Sequence, residues 1–186
     1  ALQAAVAALG IGPGDEVITS PYTMPATSTA ILFNNAIPVF ADLDSRTYCL
    51  SADTIAVRMT SKTKAILVVN IFGGAADYGP IVELAKKHNL KIIEDNAQSP
   101  GATYKGSLTG TIGDIGIFSF NVHKVIQAGE GGMLITNDER AALRAQLVRN
   151  HGEAVMDDLW SIDPEHRELI AGSNYRLSEI HSAIVS

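Results

Sequence analysis

Apolar residues along this chain follow two spacings, one typical of buried strands and one typical of amphipathic helices. Short apolar runs predict strands at EVIT, AIPVFADL, KAILVVNIF, LKIIED, IGIFSF and GMLITN. Helical patterns separate them, at residues 1–9, 27–35, 51–60, 77–88 and 138–152. Strands that alternate with helices at this spacing predict an α/β fold, with a mostly parallel sheet and helices on both of its faces.

Composition is typical of an α/β enzyme and excludes several other classes. With 186 residues, 46% of them hydrophobic, one domain with an ample core is expected. The net charge of -6, without a basic stripe, argues against nucleic acid or an anionic membrane as a partner. The single cysteine, Cys49, excludes an intramolecular disulfide, and no residues have metal-ligand spacing. No membrane span or leader is visible, so a cytoplasmic protein is expected, and the polar segment 157–168 is predicted to be a solvated loop.

One lysine is distinguished from the others by its position. Lys124 follows the predicted strand IGIFSF and precedes a glycine-rich stretch, and open α/β sheets bind ligands at the carboxyl ends of their strands. Near apolar walls a lysine loses solvation and its pKa falls, so its neutral amine can form a Schiff base with an aldehyde cofactor. Considered alone, an ordinary solvated loop lysine is the more common outcome.

A second segment, LKIIEDNAQ, ends a predicted core strand with two acids, Glu94 and Asp95. In a pyridoxal phosphate enzyme an aspartate must face the pyridine nitrogen to keep it protonated, and Asp95 suits that position. Gln98, on the turn that follows, could reach the phenolic oxygen or the face of the ring. The alternative is that both acids cap the next loop or helix, which is a frequent use of aspartate.

Several segments in order resemble a known family. EDNAQSPGATYKG, GDIGIFSFNVHK, GEGGMLITND and RNHGE are similar to motifs of the DegT/DnrJ/EryC1/StrS family of pyridoxal phosphate (PLP)-dependent aminotransferases. The resemblance extends from PGDEVITSPYT, which begins at Pro13, to GSNYRLSEIHSAI near the end. It implies the large domain of a fold-type I PLP enzyme, a three-layer sandwich that mostly serves the amination of keto-sugars. Such sugars are often nucleotide-linked and belong to polysaccharide or antibiotic biosynthesis.

The resemblance assigns a role to four residues at the predicted site. Lys124 matches the lysine that binds the cofactor aldehyde covalently and then moves the proton between substrate and cofactor. Asp95 matches the aspartate on the pyridine nitrogen, and Gln98 the glutamine near the phenolic oxygen. Ser119 matches a serine whose hydroxyl binds the cofactor phosphate.

Two further positions carry implications for assembly and for ring stacking. Asn174, in GSNYR, matches an asparagine that reaches across a dimer interface toward the partner's phosphate, with Arg176 close by. The resemblance therefore implies a homodimer with shared active sites. Met24 occupies the position where the family usually has an aromatic residue stacked on the pyridine ring. Methionine can pack on an aromatic face through its sulfur and methyl group, although more loosely than a ring.

Two alternatives stay open. Some relatives carry histidine in place of the lysine and act as sugar dehydratases, and here His123 is adjacent to Lys124. Counting from Ser119 places the family's lysine five residues on, at Lys124, so His123 is interpreted as a loop residue that flanks the site. A dehydratase-like lyase is disfavoured on this ground. The other alternative is a non-catalytic PLP-binding protein, which Met24 makes plausible.

Both ends of the chain depart from the family. The chain begins at Ala1 inside a predicted helix and stops at Ser186 inside another amphipathic pattern. The resemblance implies that residues 1–186 are a PLP-binding large domain truncated at both ends, without the carboxyl-terminal small domain. Donors that precede the first helix and bind phosphate in the family are also absent. An isolated fragment of this extent is expected to bind cofactor weakly and turn over poorly.

Overall fold

The structure is a computed structural model that describes residues 1–153 and 170–186. The predicted loop at 157–168 lies outside the described residues. Within them, no helix is both long and apolar enough to cross a membrane.

A six-stranded sheet forms the centre of the fold, and a two-stranded hairpin lies outside it. The sheet strands are β1 Glu16–Thr19, β2 Ile37–Phe40, β3 Thr63–Val69, β4 Lys91–Asp95, β7 Ile115–Ser119 and β8 Gly132–Ile135. The hairpin consists of β5 Thr103–Tyr104 and β6 Ser107–Leu108. The helices are α1 Leu2–Ala8, α2 Ala26–Leu32, α3 Ala52–Ala56, α4 Tyr78–His88, α5 Glu139–Arg149 and α6 Glu179–Val185.

Strand order is β2-β1-β3-β4-β7-β8, and every pairing is parallel except that of β7 with β8. The predicted mostly parallel sheet is therefore confirmed. The order reverses at β1, since β2 lies on one side of it and β3 on the other. A reversal of this kind leaves a crevice at the carboxyl ends of the strands, and that crevice is where open α/β sheets bind ligands.

Two separate cores, one on each face of the sheet, confirm the three-layer arrangement. On one face α1, α2 and α5 cover alternate strand residues that include Val17, Leu67 and Ile93. On the other face α3 and α4 cover the intervening residues, which include Ile18 and Ile66. Because successive strand side chains point to opposite faces, strands buried on both faces are continuous apolar runs in the sequence.

Helix α3 is shorter than its pattern predicts. Ser51 caps it as expected, in a capping box with Thr54. The helix nevertheless ends at Ala56 rather than near Thr60. The N–H of Thr60 donates to the Thr63 hydroxyl at 2.9 Å, so the chain is already turning there to enter β3.

The buried Glu94 carboxylate holds the loop that leads into β7. The residue is 0% exposed, and its two oxygens accept N–H groups from Gly110 at 2.7 Å, Ile112 at 2.7 Å and Gly113 at 2.6 Å. A Cβ placed on Gly116 of β7 would lie 2.3 Å from the Gly110 carbonyl oxygen, so that strand approaches the loop too closely for any side chain. Glu94 thus fixes the path of the strand that carries Ser119.

Replacing Glu94 with alanine is expected to lower the free energy of unfolding by about 3 kcal/mol or more, because three N–H groups around a buried carboxylate lose their acceptor. Urea unfolding monitored by circular dichroism measures this. Glu83→Ala, which removes an exposed carboxylate from α4, is the matched control and is expected to change stability by less than about 0.5 kcal/mol. Equal effects of the two variants would contradict the assigned role of Glu94.

Candidate active site

A cavity of about 590 Å³ opens at the carboxyl edge of the sheet, on the face covered by α1 and α2. Its floor is formed by Val69 and Asp95, at the ends of β3 and β4, and by Ile117 in the middle of β7. The segment that follows β1 forms one wall, and the segment that follows β7 forms another. The cavity therefore lies beside the strand reversal, where the topology predicts a ligand.

Five of the six predicted site residues line this cavity. They come from three separate segments and are Met24, Asp95, Gln98, Ser119 and Lys124. Asp95 is 3% exposed, Lys124 and Ser119 are partly buried, and Gln98 and Met24 are exposed. Asn174, the sixth residue, is not among the residues of the described chain that form the wall. The fold thus brings to one cavity residues as far apart in the sequence as Met24 and Lys124, which are separated by 100 positions.

Adjacent acids on β4 have different surroundings because strand side chains alternate between the faces of the sheet. Glu94 points to the α4 side and binds backbone N–H groups, while Asp95 points into the cavity. One Asp95 oxygen accepts the N–H of Ala97 at 3.0 Å, and the other accepts the Thr27 hydroxyl at 3.3 Å. The capping alternative therefore describes Glu94, whereas Asp95 keeps an oxygen at the cavity wall with only a weak hydroxyl partner.

Burial raises the pKa of the Asp95 carboxyl above its ordinary value of 3.8. The N–H of Ala97, the Thr27 hydroxyl and the positive charge of Lys124 act in the opposite direction without offsetting the burial. A carboxylate in this position is stabilised by a cation that enters the cavity. The protonated nitrogen of a pyridine ring is a cation of suitable shape.

The segment after β7 is folded back so that Ser119 and Lys124 share one wall. The N–H of Lys124 donates to the carbonyl of Asn121 at 2.9 Å, which forms a turn. Asn121 donates its own N–H to the Ser119 hydroxyl at 3.3 Å, and its side-chain amide donates to Glu130 at 2.8 Å. Because the Ser119 hydroxyl accepts from the backbone, its proton can be donated into the cavity.

Asn174 lies on an exposed segment and is not among the residues that line the cavity. It forms an isolated antiparallel bridge with Asn150, and the Arg176 guanidinium donates to the Asn150 side-chain oxygen. Both Asn174 and Arg176 are exposed. Within one chain the structure therefore does not bring Asn174 to the cavity, and its function across a dimer interface stays a prediction.

Two threonines near Asp95 were missed by the sequence analysis. Thr27, at the start of α2, is 1% exposed and bonds Asp95, and Thr23 lies 3.0 Å from it, hydroxyl to hydroxyl. The signal was present in SPYTMPAT, where two threonines four residues apart lie on one face of a helical turn. His123 also lines the cavity, beside Lys124.

The residues present suit PLP better than a metal. Among residues 1–153 and 170–186, no group of three or more histidine, cysteine or carboxylate side chains is placed to hold a metal ion. The cavity instead combines a buried carboxylate, a hydroxyl and an amine on separate walls. These match the pyridine nitrogen, the phosphate and the aldehyde of PLP.

The fold and this donor set define the large domain of a PLP-dependent transferase. A model described as the DegT/DnrJ/EryC1/StrS aminotransferase family matches residues 1–186, and the chain belongs to that family. The chain is similar to the GDP-perosamine synthase of Caulobacter vibrioides, at 42% identity over 186 residues. That match covers 99% of this chain and 48% of the relative, so the chain spans about half the length of such curated relatives.

Solved structures agree with this assignment. An aminotransferase from Psychrobacter cryohalolentis superposes with a TM-score of 0.88 at 39% identity, over 98% of this chain and 47% of the other. NtdA from Bacillus subtilis, solved with bound cofactor PMP, superposes with a TM-score of 0.86 at 31% identity, over 99% of this chain and 40% of the other. The family depends on PLP, and the recognition and cofactor predicted from sequence are confirmed.

The raised pKa of Asp95 predicts a pH-dependent stability in the cofactor-free protein. Between the ordinary value of 3.8 and its raised pKa, the folded state binds more protons than the unfolded state, so stability falls as the pH rises through this window. In Asp95→Asn, stability is expected not to fall as the pH rises through this window, so the variant is expected to be more stable than wild type at neutral pH. Urea unfolding at a series of pH values measures the difference.

Asp44→Asn is the control, because the pKa of Asp44 is lowered and the effect of its removal on stability is expected to have the opposite sign. Backbone N–H groups of Thr47 and Arg46 lower the pKa of Asp44, so its contribution to stability is present above the ordinary aspartate pKa and is lost as the pH falls. This variant is expected to be less stable than wild type at neutral pH. A stability difference for Asp95→Asn that stays constant with pH would contradict the assignment.

Proposed function

We propose that residues 1–186 form the PLP-binding part of an aminotransferase that moves an amino group from glutamate or glutamine to a keto-sugar carried on a nucleotide. The observation that carries this proposal is the position of Lys124 and the buried Asp95 on the walls of one cavity. Family membership and the sugar named for the perosamine synthase support the substrate class. We place this chemistry in the cytoplasm, where nucleotide-linked sugars are made.

The cavity residues divide the binding of PLP among them. Asp95 would hold the ring nitrogen, Ser119 the phosphate, Gln98 the phenolic oxygen and Met24 one face of the ring. Lys124 would hold the aldehyde carbon. When bound, PLP supplies an aldehyde that accepts the amino group and a cationic ring that withdraws electrons from the reacting carbon.

Lys124 moves the proton in this proposal. Its Nζ, once neutral, removes a proton from the α-carbon of the amino-acid donor and later returns one to the former carbonyl carbon of the sugar. The Lys124 side chain is partly buried and lines the cavity together with Phe118 and Ile117. The Asp95 carboxylate would stabilise a positive charge on the ring nitrogen when the cofactor is bound.

A homodimer completes the site in this proposal. Asn174 and Arg176 are exposed and are not among the residues that line the cavity of their own chain, so both are accessible to a neighbouring subunit. Two side chains on the cavity wall are also strongly exposed, Met24 at 59% and Phe33 at 67%. Apolar groups of this size next to a ligand site suit coverage by a second polypeptide surface.

In the full-length protein, Lys124→Ala is expected to lower kcat about 10³-fold, since both covalent binding and proton transfer depend on its amine. Borohydride reduction followed by peptide mass spectrometry is expected to find the cofactor mass on the Lys124 peptide of wild type. Lys64→Ala, at an exposed position near the start of β3, is the control and is expected to keep wild-type activity. Cofactor attached to another lysine, or water loss from the sugar without amine transfer, would overturn the proposal.

Hybrid dimers test the shared active site. Lys124→Ala subunits are mixed with Asn174→Asp subunits, in which a negative charge faces the cofactor phosphate, and each variant alone is expected to be nearly inactive. In a hybrid, one of the two sites combines a native Lys124 with a native Asn174. Equal mixing is therefore expected to restore about a quarter of wild-type activity. No recovery in hybrids confirmed by native mass spectrometry would place both residues in one subunit's site.

A further inference from the structure

Behind Asp95, on the opposite face of the sheet, four polar side chains form a fully buried group that we name the polar cluster. Its members are Asn70, Tyr78, Glu94 and Asn96, each of them at most 1% exposed. Polar groups are costly to bury unless they are hydrogen bonded, and apolar residues surround these four on the α4 side. The mechanism proposed above uses none of them directly.

Asn70, the residue after β3, is the centre of the polar cluster. Its side-chain amide donates to the Tyr78 hydroxyl at 2.8 Å and to the Asn96 side-chain oxygen at 2.8 Å. Its own side-chain oxygen accepts the N–H of Ala76 at 3.0 Å. Both amide protons and the oxygen of Asn70 are thereby satisfied, which fixes its orientation.

The remaining members extend the polar cluster from Asn70 to β4. Asn96 donates its side-chain amide to the carbonyl of Glu94 at 3.2 Å. Burial raises the pKa of Tyr78 well above its ordinary value, and the charge of Glu94 acts in the same direction. Tyr78 therefore keeps its proton, and the side chains of α4, β3 and β4 are connected through one network.

Backbone bonds connect this network to Asp95 from both sides. The N–H of Asn70 donates to the carbonyl of Asp95 at 2.9 Å, and the N–H of Asn96 donates to the carbonyl of Ile117 at 3.0 Å. Asp95 itself pairs with Val69 on β3 and with Ile117 on β7. The side-chain bond between Asn70 and Asn96, which we name the amide pair, thus joins β3 and β4 one residue beyond Asp95, where regular sheet pairing ends.

We propose that Asn70 and Asn96 are positioning residues, which hold the Asp95 carboxylate at the angle and depth that the pyridine nitrogen requires. This inference rests on the proposed function, since it assigns a role to residues that support the cofactor site. Val68 and Glu94, one residue nearer the middle of the sheet, are held by strand pairing, which ends at Asp95. The side-chain bond between Asn70 and Asn96 continues that connection past the last strand residue.

A bond between two amides suits this role better than apolar packing. Apolar side chains of similar volume would fill the space but tolerate sliding of one strand end against the other, whereas a hydrogen bond constrains distance and angle. A displacement of about 1 Å at a catalytic group can cost about 10²-fold in rate. The expected effect of losing the amide pair is therefore on the chemistry of the site as well as on stability.

The test measures the protonation of the ring nitrogen in the full-length holoenzyme, with PLP labelled with nitrogen-15 in the ring. Asn96→Ala removes the amide pair, and Tyr78→Phe removes only one hydroxyl from the network while keeping the packing. Asp95→Asn gives the reference signal for a ring without its carboxylate. Ser51→Ala, which removes the cap of α3 on the same side of the sheet, is the control for destabilisation without contact to the polar cluster.

Asn96→Ala is expected to move the nitrogen-15 signal part of the way toward that of Asp95→Asn and to lower kcat about tenfold. Tyr78→Phe is expected to change the nitrogen-15 signal and kcat in the same direction but by less. Ser51→Ala is expected to lower the unfolding midpoint while the nitrogen-15 signal and kcat stay unchanged. A wild-type signal in Asn96→Ala and Tyr78→Phe, with a changed one in Asp95→Asn, would overturn the positioning role and leave the proposed function standing. No change in Asp95→Asn would overturn both.

Discussion

The opposite orientation of Glu94 and Asp95 is the constraint on which the rest of the structure depends. Two neighbouring carboxylates on one strand necessarily point to opposite faces of the sheet. One face supplies three backbone N–H groups, so Glu94 is satisfied within the fold. The other face supplies one N–H and a distant hydroxyl, so Asp95 is left needing a cation. A single strand end thereby serves both folding and ligand binding.

The two acids are also linked mechanically through β7. Glu94 holds the loop at Gly110–Gly113, and β7 follows that loop directly. The strand pairs with Asp95 through Ile117 and ends at Ser119. The relative position of the carboxylate and the hydroxyl therefore depends on a carboxylate on the far side of the sheet. Changes on the α4 face are thus able to alter a cavity that they do not touch.

Much of the fold was predictable because each buried strand is an apolar run bounded by turn residues, and helices α1 to α5 bury apolar residues against the sheet. The candidate site was predictable to a smaller extent. Asp95 and Ser119 end strands and Lys124 follows one, and the topology of open α/β sheets brings strand ends together. Thr27 and the Asn70–Asn96 pair were missed because their importance arises only from pairing across strands. No local pattern in the sequence records which strand is next to which.

The exposed walls of the cavity explain why this chain is best understood as part of a larger site. Ligand pockets enclose most of a ligand's surface, yet Met24 and Phe33 are each more than half exposed where they line this one. The floor, by contrast, consists of strand ends that are buried on both faces of the sheet. The part of the site that holds the Asp95 carboxylate and the Ser119 hydroxyl thus belongs to the sheet. Surfaces that contact these exposed side chains would be needed to enclose a bound ligand on this side of the cavity.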